Sequence, residues 1–227
     1  MLRSADNGVR QSLVIVPGWG FDGRVFAGLD WPCEWHVADG DSTLSPTDRV
    51  AQVVSGLKTE RVSLLGWSMG GFAVCEFAGR HPELVDEVIL VGMRRKYDKG
   101  ELADMRRSLE KNKAACLKRF YRRCFAKEEM ARYQWFKGTL LEHYLETMPA
   151  EKLIRDLDWL GQVEIRPEAL GQIEQVRFVH GTGDAIAPIE QAMELASSVP
   201  QGRLITFEQT GHLPFLRDDF TRCVYED

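Results

Sequence analysis

Val62-Ser63-Leu64-Leu65-Gly66-Trp67-Ser68-Met69-Gly70-Gly71 is the stretch that decides the fold. An apolar run through Val62, Leu64 and Leu65 stops at Gly66, and a helical pattern opens at Gly70-Gly71 and continues through Phe72, Ala73, Cys75, Phe77 and Ala78. Ser68 stands between them in the frame Gly66-x-Ser68-x-Gly70. A serine on such a sharp strand-to-helix turn has a strained backbone and holds its Oγ out above the end of a sheet. The flanking glycines have no Cβ, so strand and helix can close on each other. The first turn of the helix also directs free N–H groups at that spot. Gly/Ser turns of this length arise by chance as well, so the neighbourhood has to support the reading.

Working outward, Ser12–Val16 is a short, continuously apolar and β-branched run, as expected of a strand covered on both faces. Pro17-Gly18-Trp19-Gly20 ends it, and a helix is expected from Asp22 to Leu29. Trp35–Ala38 reads as a strand, Pro46–Leu57 as a helix and Val85–Val91 as another buried strand. After residue 165 the same alternation returns: strand Val176–Val179, helix Pro188–Ser198, strand Arg203–Phe207, and a last helix beginning near Pro214. Alternation of this kind predicts a single α/β domain whose central sheet is mostly parallel, with helices on both faces. Residues 93–164 interrupt it. They are polar, charged and helical in period, with Pro149 as the one internal break, and are expected to form a helical lid inserted into a core of residues 1–92 and 165–227.

Three strand ends carry chemistry. Acyl transfer to a serine needs a base for the Oγ proton and a carboxylate to orient that base. Asp184 lies just past one strand and His212 just past the next, both at carboxyl ends, where open α/β sheets bind their ligands. Ser68, Asp184 and His212 are therefore the candidate triad, in that chain order. The oxyanion formed on attack needs two backbone donors, expected from Met69 and from Trp19 in the loop after the first strand. Among the rivals, His180 at a strand end suits a packed, hydrogen-bonded histidine and His81 a helix end. His36 and His143 have no ligand-like neighbours, and Asp218 and Asp219 suit the terminal helix.

Composition narrows the function classes. A net charge of −5 over 227 residues argues against a nucleic-acid binder, and no apolar run approaches the ~18 residues of a membrane span. The first residues lack the apolar core of a leader peptide. Five cysteines, an odd set without CxxC spacing, suit reduced thiols in the cytoplasm. No His/Cys cluster suggests a metal, and no cofactor is expected.

The elbow, the order of the triad and the position of the lid resemble the α/β-hydrolase superfamily along the whole chain. More narrowly, Gly18-Trp19-Gly20, Gly66-Trp67-Ser68-Met69-Gly70-Gly71, Gly183-Asp184 with Ala187-Pro188, and Gly211-His212-Leu213-Pro214-Phe215 look like the pimeloyl-acyl-carrier-protein methyl ester esterases of biotin synthesis. The resemblance implies an α/β-hydrolase fold and a serine carboxylesterase that releases the methyl group from pimeloyl-acyl-carrier protein methyl ester. Trp19, Ser68, Met69 and His212 would contact the substrate. The lid stretch Phe120, Tyr121, Arg122, Arg123 and Cys124 would line the acyl channel, and Arg119, Arg122 and Arg132 would hold the acyl carrier protein. The sequence departs from that pattern at Pro17, where many relatives have histidine; the backbone donors do not need that side chain. Few residues precede the first strand, so the outer antiparallel strands of larger relatives are expected to be missing.

Charge supplies an independent argument. From Met93 to Cys124 there are 12 Lys/Arg against 4 Asp/Glu, leaving 17 basic and 30 acidic residues elsewhere. A cationic lid on an acidic body suits the steering of an acidic partner. Helical spacing puts Arg119, Arg122 and Arg123 on one face, with Leu117, Phe120 and Cys124 on the other. Two alternatives stand beside this reading: an esterase or thioesterase for small molecules with no carrier protein, and a binding protein without turnover. The intact triad speaks against the second, and Ser68, where dehalogenases of this fold have aspartate, speaks against dehalogenation.

Overall fold

The computed structural model describes residues 12–40 and 43–225. The readings that rest on residues 1–11, the lack of a leader and of outer strands, fall outside the described residues. Six strands, β1 (Ser12–Val16), β2 (Glu34–Val37), β3 (Val62–Trp67), β4 (Val85–Val91), β5 (Gln175–Gly181) and β6 (Gly202–Phe207), form one sheet in the order β2-β1-β3-β4-β5-β6. Every pairing in it is parallel. β1 and β3 are buried along their whole length, which is why they read as unbroken apolar runs, whereas β2 and β6 at the edges are half-exposed. The register sets Val16 beside Gly66, Trp67 beside Val91, Val91 beside Val179, and Gly181 beside Phe207. The loops that leave β1, β3, β4, β5 and β6 consequently open on one edge of the sheet.

Alternation along β3 assigns its faces. A Cβ on Gly66 would meet Gly71 Cα at 2.5 Å, so that face receives α2 (Met69–Arg80), with α1 (Pro46–Gly56) beside it. Trp67 points to the other face, where its ring meets Phe26 and Phe215 and where Phe215 meets Phe220 of α9 (Phe220–Tyr225). Burying aromatic area on this scale contributes about 1.5–3 kcal/mol per side chain.

Between β4 and β5 lie α3 (Lys99–Lys111), α4 (Lys113–Arg123), α5 (Met130–Phe136), α6 (Glu142–Thr147) and α7 (Ala150–Leu160), with a π turn at 137–141 joining α5 to α6. Asn112 ends α3 and caps α4 by accepting from Ala115 N, and Pro149 stands before the first turn of α7. Phe21, Tyr121, Phe136 and Tyr144 pack ring against ring, so these helices share one core with the sheet. Polar ties join the same layers: Tyr121 Oη donates to Gly20 O at 2.6 Å, Trp19 Nε1 to Leu153 O at 2.9 Å, and Arg49 of α1 pairs with buried Asp156 of α7 at 3.2 Å. α8 (Ile189–Ser198) packs on β5 and β6.

Two expected helices are shorter. Residues 22–29 hold only a 3-10 turn, Gly23–Phe26, capped by Asp22. A Cβ on Gly23 would stand 3.0 Å from Val37, so glycine eases close packing on β2 there, and glycine weakens a helix. The terminal helix is preceded by a 3-10 turn at Pro214–Leu216. Asp218 and Asp219 lie before α9, and Asp219 pairs with Arg217 at 2.8 Å.

Candidate active site

Ser68 has φ 52 and ψ −119, a conformation that a residue with a Cβ holds only when its surroundings impose it. The imposing contacts are visible. Ser68 N donates to Val91 O at 2.8 Å, and a Cβ on Gly70 would strike Val16 O at 2.1 Å, so the start of α2 is locked over the end of β1. The Pro17–Gly20 loop lies against the same turn, since a Cβ on Gly18 would stand 3.2 Å from Ser68 Cβ.

Asp184 and His212 meet at 2.6 Å, Oδ2 to Nδ1, with neither side chain exposed. Oδ1 of Asp184 accepts from Ile186 N at 2.7 Å and Ala187 N at 2.9 Å, which satisfies the rest of the carboxylate. Burial pushes the Asp184 pKa up, but the charge and hydrogen bond of His212, together with the charge of His180 and the Ala187 N–H, outweigh it and hold the group below the usual carboxylate value. Gly92, at φ 60, leaves room for the imidazole: a Cβ there would come within 2.9 Å of His212 Nδ1. Trp67 Nε1 donates to His212 O at 2.8 Å and so ties the end of β3 to the histidine loop. His180 is a buried, packed histidine whose Nε2 lies 2.8 Å from Ala187 O; burial lowers its pKa.

Ser68 Oγ and Tyr97 Oη stand 3.1 Å apart, while buried His212 Nε2 has no hydrogen-bond partner. The Ser68 hydroxyl is thus engaged with Tyr97 and not with His212. A bond between nucleophile and base often forms only with substrate in place. Burial raises the Tyr97 pKa to about 12, keeping the phenol neutral, and the Arg94 guanidinium stacks on its ring at 4.7 Å. Tyr97 lies in a polar, charged stretch where no sequence pattern singles it out. Its place just after β4, at the ligand-binding edge of the sheet, was the available signal. Tyr97→Phe should release Ser68 to His212 and speed phosphonate labelling of Ser68 by roughly 2- to 10-fold, the equivalent of one neutral hydrogen bond. Slower labelling would show that the phenol takes part in the reaction instead.

A cavity of about 550 Å³ opens above Ser68. Trp19, Phe120, Leu102, Met105, Leu157 and Ile186 give it apolar walls, and Arg94, Arg119, Arg123, Glu101 and Asp104 also line it. Of the residues expected at the substrate, Trp19, Ser68, Phe120 and Arg123 line this cavity, and Met69 and His212 are buried outside its lining. The other three are engaged elsewhere. Tyr121 is fully buried and bonded to Gly20 O, Cys124 is fully buried with its carbonyl accepting from His212 N, and Arg122 turns to Phe125 O at 2.9 Å and stacks on Tyr133. α4 packs on two sides, so the faces inferred from helical spacing were too few. Of the partner candidates, Arg119 stands on the cavity wall bonded to Ser108, and Arg132 Nε donates to Leu216 O at 3.1 Å. All five cysteines are free, and among the described residues no group of three or more His, Cys, Asp or Glu side chains is arranged to hold a metal ion.

A serine on a strained elbow, a buried Asp–His pair and an apolar cavity over a parallel sheet define a hydrolase of esters. The chain belongs to the alpha/beta hydrolase family, whose model matches residues 13–222. It is similar to the pimeloyl-[acyl-carrier protein] methyl ester esterase of Nitrosomonas europaea, at 28% identity covering 93% of each chain. The enzyme of the same name from Chromobacterium violaceum is 29% identical, over 94% of this chain and 92% of that one. Solved structures share the fold: the esterase of Exiguobacterium antarcticum has a TM-score of 0.76 at 24% identity, over 97% of this chain and 92% of that one. The enol-lactonase of Burkholderia xenovorans LB400 has a TM-score of 0.79 at 19% identity, over 96% and 91%.

Proposed function

We propose that this protein is a serine carboxylesterase that hydrolyses the methyl ester of pimeloyl-acyl-carrier protein methyl ester, giving pimeloyl-acyl-carrier protein and methanol for biotin synthesis. Ser68 Oγ turns from Tyr97 to His212 Nε2, gives up its proton and attacks the ester carbonyl. Asp184 holds the imidazole in the tautomer that can accept that proton and stabilises the imidazolium. The backbone N–H groups of Trp19 and Met69 receive the oxyanion. Methoxide leaves with the proton from His212, and water, activated by the same imidazole, releases the acyl group from Ser68. The observation that carries the chemistry is the 2.6 Å Asp184–His212 pair beside an elbow serine at φ 52.

The substrate is argued from the apolar cavity with arginines among its lining, the basic character of residues 93–124, and the names of the relatives. Residues 93–164 act as the lid in this reading, the acyl chain occupies the cavity, and Arg119 meets the acidic carrier. A cytoplasmic location goes with a biosynthetic carrier-protein partner; no helix of the described residues is long and apolar enough to cross a membrane.

One observation favours a small-molecule esterase instead. Arg119, Arg122 and Arg132 all bond within the chain, which leaves less of their charge for a partner. Arg119→Glu separates the two readings. It should lower kcat/KM for the carrier-protein ester at least about tenfold, and added salt should erase most of the difference, because exposed charges are screened beyond roughly 10 Å at 0.1 M ionic strength. Hydrolysis of the free methyl ester, which meets Arg119 only as part of the cavity wall, should fall less and should not recover with salt. Equal loss on both substrates, or on neither, would remove the carrier protein from the proposal.

A further inference from the structure

Glu129, in the turn between α4 and α5, is 3% exposed, although a carboxylate buried without partners is very costly. Its partners are backbone. Oε2 accepts from Gly211 N at 2.7 Å and from Ala126 N at 3.0 Å. The next N–H along, that of His212, donates to Cys124 O at 2.7 Å. Two consecutive N–H groups of the histidine loop are therefore held by one turn of the helical segment. The approach is so close that a Cβ on Gly211 would strike Cys124 O at 2.4 Å and Ala126 N at 2.7 Å, so the junction demands glycine. Arg132 Nη1 lies 3.8 Å from the other Glu129 oxygen, and its Nε bonds Leu216 O, which closes the clamp from outside.

We infer that Glu129 is a positioning residue for His212, fixing through Gly211 the loop that carries the imidazole. Asp184 orients the ring about Nδ1, but it does not locate the backbone from which the ring hangs. That backbone has no regular secondary structure from 208 to 213. Hydrogen bonds to an ionised acceptor are the stronger kind, and misplacement of a catalytic group by about 1 Å can cost on the order of 10²-fold in rate. The helical segment is then part of the machinery that sets the base, in addition to covering the cavity. The inference rests on the reading of Ser68, Asp184 and His212 as the triad.

The test compares Glu129→Ala, Glu129→Asp and Glu129→Gln in the full chain on a small aryl ester, with Ser68→Ala alongside. Glu129→Ala should lower kcat about 100-fold with KM within about twofold. Aspartate, one methylene short of Gly211, should also lose activity, whereas glutamine should recover most of it, because one amide oxygen can accept both N–H bonds. The downfield proton resonance of the His212–Asp184 hydrogen bond should shift or broaden with alanine and aspartate and persist with glutamine. Should the alanine variant fail to fold, the aspartate–glutamine comparison decides, and glutamine no better than aspartate overturns the inference. So does a loss of kcat that only follows the folded fraction with the imidazole resonance unchanged. An active Ser68→Ala would overturn the triad reading itself. An inactive Ser68→Ala beside a fully active Glu129→Ala would overturn only the role of Glu129.

Discussion

Ser68→Ala should lower kcat for ester hydrolysis by about 10⁴-fold or more while the protein stays folded. The two halves of that expectation have separate causes. In the proposed mechanism Oγ becomes the acyl-enzyme, and alanine offers nothing in its place. The strained backbone, by contrast, is imposed by glycine contacts and by the bond from Ser68 N to Val91 O, none of which uses the side chain. What stability loses is the contact with Tyr97, a neutral hydrogen bond of about 0.5–1.5 kcal/mol. His212→Ala should lower activity nearly as far, and the double variant no further, because groups that act as one unit do not add. The measurement is the burst of leaving group from an aryl ester together with stoichiometric phosphonate labelling. Turnover of Ser68→Ala near the wild-type rate would end the covalent mechanism.

What the sequence disclosed follows from how each element is built. β1 and β4 have the ends expected of them because strands covered on both faces read as unbroken apolar runs, bounded here by Pro17 and Gly92. The elbow was legible because only glycine tolerates the approaches at 66 and 70, so the physical constraint is written into residue type. Asp184 and His212 were legible because chain order and strand ends brought them to one edge. Tyr97 and Glu129 were not, since each owes its importance to a contact distant in sequence within a stretch where Tyr and Glu are unremarkable. α4 shows the limit of periodicity most clearly. A single apolar stripe assumes one neighbour, but Tyr121 is buried against Phe21 and Tyr144 while Phe120 faces Trp19 in the cavity wall. Two neighbours blur the pattern, and Arg122 falls between them.

Asp184→Asn should lower kcat about 10⁴-fold, although it changes one atom and almost no volume. The carboxylate makes two different demands on its oxygens. Oδ1 accepts two backbone N–H groups, and Oδ2 accepts the proton on His212 Nδ1. Asparagine has one oxygen for both tasks. With that oxygen on the side of Ile186 and Ala187, the amide NH₂ faces Nδ1 and forces the imidazole proton to Nε2, where it cannot take the proton of Ser68. With the amide flipped, a donor faces two backbone donors in a buried site and the loop must open, leaving groups unpaired at about 1–3 kcal/mol each. Stability should respond to pH in a set direction as well. The Asp184 pKa is lowered by folding, so its contribution is fully present above the unfolded-state value of about 4 and is lost as pH falls through the lower folded-state value. Between about pH 7 and 3, the Asp184 contribution to the gap in unfolding free energy between wild type and Asp184→Asn should therefore be lost on the acid side, below about pH 4. Urea unfolding across that range, paired with kcat measured at its neutral end, tests both halves. An Asp184→Asn enzyme within tenfold of wild type would show that His212 is oriented by something other than this carboxylate.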